Sequence, residues 1–121
     1  MTTFLSVAAA VTGVLGLSWT LVPEPWLALW GLPADAGAVY LGRRFGGLFF
    51  GYAVTLWLAR GAGPSPLRTA ILAGGTAVAS VMTLLSLYGV VSGIAGPFAW
   101  GAVVFEALLA AGFGWFYSKE G

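Results

Sequence analysis

Cysteine and histidine are both missing from this chain, and charged residues make up only 7% of it. Without cysteine there is no disulfide and no thiol nucleophile. Without histidine there is no bis-histidine haem, no ordinary zinc site and no imidazole to move protons near neutral pH. The few carboxylates are scattered along the sequence, so no hard-metal site is expected. The net charge is +1 and no basic tract is present, which argues against nucleic acid as a partner. No cofactor is expected. Nor is an enzyme, because an intramembrane reaction would have to rest on one glutamate with arginine help.

What remains is apolar. Hydrophobic residues make up 60% of the chain, whereas a soluble domain carries about a quarter charged residues. Four long apolar stretches run over residues 3–22, 38–59, 67–91 and 98–117. A run of about 18 such residues is enough to cross the hydrocarbon core as a helix. The expected fold is therefore all-α: four transmembrane helices in a compact bundle, with residues 1–121 as a single integral membrane domain. The lipid bilayer is the expected surrounding. The first stretch has no basic residue before it and is long for a signal-peptide core, so it reads as a retained helix.

Breakers set the limits of the helices. Pro23 and Pro25 cannot continue the first one. The connector that follows holds Trp26, Leu27, Leu29, Trp30 and Leu32, too apolar for a solvated loop and too short to span. A short interfacial segment with its indoles at headgroup level fits it. Asp35 is placed to cap the second long helix, and Ser65 with Pro66 to open the third. Pro97 opens the fourth. Trp19, Trp57, Trp100 and Trp115 fall near span ends and read as interfacial belts. Arg60 and Arg68 flank the middle loop and Lys119 follows the fourth helix, which predicts both termini and that loop in the cytoplasm.

Glu106 lies within the fourth stretch, and Arg43 and Arg44 within the second. A rise of 1.5 Å per residue puts the arginines about 7–9 Å, and Glu106 roughly 12 Å, from the outer ends of their helices. An arginine side chain can bridge that difference. Arg44 shares a helical face with Gly47, Gly51 and Thr55, and Glu106 shares one with Ala99 and Ala110; small faces are where membrane helices pack. Thr76, Ser80 and Thr83 form a polar stripe on the third helix, with Ser86 at its edge. The candidate intramembrane polar site is therefore Glu106, Arg44, Arg43, Ser80 and Thr83, with a Glu106–Arg44 contact expected. A charge in hydrocarbon costs about 2.5–3.5 kcal/mol on insertion scales, so ionisable groups there are functional by default. A Glu–Arg contact can equally serve only to lock two helices together. The small-residue pairs Gly42/Gly46 and Gly47/Gly51 match the spacing of close helix packing.

Two functions follow as expectations. One is binding or transport of a small amphipathic or anionic solute at the Arg/Glu level, in a monomer or homodimer. The other is a structural or accessory subunit docking onto a larger membrane complex.

The motifs Pro25-Trp26 through Trp30-Gly31-Leu32, Leu41-Gly42-Arg43-Arg44-Phe45-Gly46, Trp57-Leu58-Ala59-Arg60 and Gly112-Phe113-Gly114-Trp115 follow one another in order. In this the chain resembles a group of uncharacterised bacterial four-helix integral membrane proteins of similar length. The resemblance implies a place in the bacterial cytoplasmic membrane and brings no activity with it. Small multidrug transporters are similar in size but carry an essential glutamate in their first helix, where this chain has no charge.

Overall fold

The computed structural model describes residues 1–120. Among them the secondary structure is helical throughout: α1 Thr2–Leu21, α2 Pro23–Leu29, α3 Ala36–Ala59, α4 Pro66–Val91 and α5 Ala99–Ser118. The four long helices fall within two residues of the expected stretches. The segment between the first two long helices contains a short helix, α2.

Length and composition make three helices able to cross a membrane: α1, α4 and α5. The expectation was four. α3 is long enough at 24 residues, but it holds five glycines and the Arg43-Arg44 pair, which dilute its apolar character. The residues cluster into two compact units, Met1–Arg60 and Gly61–Gly121.

The first unit is an antiparallel pair, α1 against α3. Thr2 Oγ1 at the start of α1 donates to the Arg60 carbonyl at the end of α3 (2.9 Å). At the opposite end Arg43 Nη1 donates to the Thr20 carbonyl (3.2 Å), one of the carbonyls that the end of α1 leaves without an intrahelical partner. The two backbones meet at glycine. A Cβ on Gly16 would lie 2.6 Å from Phe50 N, and one on Gly46 would lie 2.5 Å from Thr20 N. Gly42 makes room for the Trp19 ring in the same seam. Gly47 and Gly51, by contrast, meet nothing within 4 Å.

The helix α2 is folded back on the end of α1. Trp26 stacks on Trp19 with ring centroids 6.1 Å apart, and its Nε1 donates to Ser18 Oγ (2.8 Å). Trp30 and Phe45 meet Trp19 edge-on. Trp19 is therefore buried at the centre of an aromatic cluster. Gly31, at φ 71°, ends α2 in the left-handed conformation. Its N–H bonds the Ala28 carbonyl and the Leu32 N–H bonds that of Leu27, a paired closure that glycine makes without strain. Asp35 caps α3 as expected, accepting from Ala38 N at 2.9 Å.

The second unit pairs α4 with α5. Ser65 caps α4, accepting from Arg68 N at 3.1 Å, with Pro66 in the first turn. The pair is antiparallel, because Arg68 Nε at the start of α4 meets Glu120 Oε1 just past the end of α5 (2.7 Å). Both side chains of this ion pair are largely buried.

Candidate functional site

Glu106 on α5 is buried, 6% exposed. Its face is the one expected: Ala99, Glu106 and Phe113 point into the α4–α5 contact, with Ala102, Val103 and Ala110 half-buried beside them. Ser86 Oγ on α4 donates to Glu106 Oε2 at 2.7 Å, an ordinary O–H···O hydrogen-bond length. Ser86 is itself buried. A hydroxyl and a carboxylate thus close the seam of the second unit.

The other candidates fall elsewhere. Thr83 Oγ1 donates to the Ala79 carbonyl of its own helix (2.7 Å), the back-bond to residue i−4 that hydroxyls make inside helices. Thr12, Thr20, Thr55 and Thr76 do the same. Ser80 is half-buried on α4. The hydroxyl set aside at the edge of the stripe, Ser86, is the one that meets Glu106. Nothing in the spacing of Ser80, Thr83 and Ser86 singles it out. Only the register of α5 against α4 does.

Arg43 and Arg44 occupy α3 of the first unit, and the contacts described for them and for Glu106 lie within their own units. Arg43 Nη2 is 4.0 Å from Glu24 Oε1, with both side chains about half exposed. Such a pair contributes about 0–1 kcal/mol. Arg44 is exposed, with its guanidinium 5.9 Å from the Tyr40 ring centroid. The face it shares with Gly47, Gly51 and Thr55 is exposed along its length rather than packed. The packed face of α3 carries Gly42, Gly46, Ala53, Leu56 and Ala59.

No family model, no curated protein and no solved structure matches this chain.

One polar cluster escaped the sequence reading. Arg68 bonds Glu120 through Nε and the Ala62 carbonyl through Nη1 (3.0 Å), while Thr69 Oγ1 reaches Glu120 Oε2 (3.5 Å). The sequence presents Arg68 as a topology signal and the last residues as a short tail. The partners lie 52 positions apart, and no local pattern joins them. At the matching end of α3, Arg60 lies over the Trp57 ring, 3.7 Å from its centroid.

Proposed function

We propose that this chain is a small integral membrane protein of the bacterial cytoplasmic membrane that binds or passes a small amphipathic or anionic solute, without transforming it. All four long helices cross the bilayer in this reading, α3 included, with both termini and the 60–68 loop in the cytoplasm. The observation that carries it is Arg44. It lies more than two turns into a long helix, exposed, near an aromatic ring, on a face of glycine and threonine away from the one that packs on α1. A guanidinium at that depth attracts an anion that can enter from the lipid side. Glu106 sets the level of the polar groups in the second unit.

The test is equilibrium binding of a fluorescent single-chain alkyl phosphate to detergent-purified protein. Arg44→Gln should weaken binding about tenfold, the loss of one charge-assisted contact. Arg43→Gln should do less, since that side chain is already engaged by Thr20 and Glu24. Equal affinity in wild type and Arg44→Gln would overturn the reading.

A second reading, an accessory subunit docking onto a larger complex, has its own support. Large apolar side chains such as Leu48, Leu58, Leu84 and Leu108 are exposed on α3, α4 and α5. They suit a protein partner as well as lipid. Crosslinking in native membranes that captured a stoichiometric partner, with no alkyl phosphate binding, would favour it.

A further inference from the structure

A shallow apolar groove of about 220 Å³ runs between α1 and α3. Ala9, Ala10 and Gly13 form one wall, and Phe50, Val54 and Trp57 form the other. Small residues on α1 leave the space, and large ones on α3 bound it. Ala10, Val54 and Trp57 are exposed, so the groove opens outward along its length. Beside the Trp57 wall stands Arg60, whose guanidinium carbon lies over the Trp57 ring 3.7 Å from its centroid, held by a hydrogen bond from Nη1 to the Trp57 carbonyl.

We propose that this groove holds one acyl chain of an anionic phospholipid whose phosphate sits on Arg60. Three features choose this occupant. From Phe50 to Arg60 is ten positions, about 15 Å along a helix. That is half of the ~30 Å hydrocarbon core, the depth of one leaflet. The groove is smaller than the roughly 300–1,000 Å³ of drug-sized sites, so it suits one extended chain and no bulky group. The lining itself is uncharged, and a cation, Arg60, stands over the lining residue Trp57 at the end where the helix leaves the hydrocarbon. The indole and the Nη1 bond to the Trp57 carbonyl hold the guanidinium, and its Nε and Nη2 donors remain to meet phosphate oxygens in a forked contact. This inference shares with the proposed function the reading of the chain as membrane-embedded, but it does not rest on Arg43 or Arg44.

The experiment is native mass spectrometry of full-length protein reconstituted in vesicles of equal dioleoylphosphatidylglycerol and dioleoylphosphatidylcholine, then extracted in mild detergent. Wild type should retain one phosphatidylglycerol per chain in preference to phosphatidylcholine. Arg60→Gln should cut that preference about tenfold, as expected for one charge-assisted contact. Ala10→Leu fills the groove from an exposed position and should reduce retention of both lipids. Val54→Trp fills it from the other wall and serves if Ala10→Leu unfolds. Equal retention of the two lipids by wild type, or unchanged retention in both groove-filling variants, overturns the proposal. So does a dimer mass that these variants abolish while lipid retention stays, because a second copy would then be the occupant. Alkyl phosphate binding that depends on Arg44 can survive every one of these failures, so the two proposals fall separately.

Discussion

Ser86 and Thr83 sit one turn apart on α4, and their hydroxyls do different work. Thr83 is bonded to its own helix, and Ser86 reaches across to Glu106. Burying a carboxylate is costly, and removing one partner of a buried hydrogen bond leaves the other to bear the desolvation penalty alone. Ser86→Ala should therefore destabilise the second unit by about 1–3 kcal/mol. Thr83→Ala should cost less, because the carbonyl it bonds keeps its helical N–H. Combining Ser86→Ala with Glu106→Leu should recover most of the loss, since replacing both partners by apolar groups is nearly neutral. Thermal unfolding in detergent for the single and double variants measures the coupling. Additive losses would show that the 2.7 Å contact carries no interaction energy.

At the scale of the element, α3 carries two glycine pairs of identical spacing with opposite surroundings. Gly42 and Gly46 are buried against Trp19, Gly16 and Thr20, while Gly47 and Gly51 face open space. One residue of helical rotation separates them, and it decides the sign of a substitution. Gly46→Ala drives a Cβ into the backbone of α1 at Gly16 and Thr20, which cannot swing aside as the tip of a long side chain could. It should lower stability by about 1–3 kcal/mol or more, the usual cost of overpacking. Gly47→Ala adds a methyl group to empty space and restores helix propensity, which favours the folded state by roughly 0.5–1 kcal/mol. The pair of melting curves should move in opposite directions. If both fall, the α1–α3 register is different from the one described.

At the scale of the whole molecule, Arg60, Arg68 and Glu120 mark helix ends. Thr2 and Arg60 share one end of the first unit, and Arg68 and Glu120 share one end of the second. A bilayer crossed by both pairs has the basic loop and the termini on a single side, and Arg and Lys prefer the cytoplasm. Reporter fusions after Gly63 and at the C-terminus should both register as cytoplasmic. A periplasmic signal from either one defeats the four-crossing topology, and it would do so whatever the outcome at Arg44 or Arg60.

The helical character of the chain and the limits of its long helices were legible in the residues, because local physics sets them. Apolar runs propose the helices, Pro23, Pro66 and Pro97 end or open them, and Asp35 and Ser65 supply caps three positions from the N–H groups they bind. The face of Glu106 was legible too, since helical periodicity places Ala99 and Ala110 on it, and both are at least half-buried. Which face of α3 packs was not. Gly42/Gly46 and Gly47/Gly51 look alike in sequence, and only the fit of Gly16 and Trp19 chooses between them. The partner of Glu106 and the Arg68–Glu120 contact had the same status. Each joins residues on two helices, 20 and 52 positions apart, and depends on how far one helix slides along the other. That sliding is decided by side-chain packing across the seam, a property of two surfaces together that neither stretch of sequence contains.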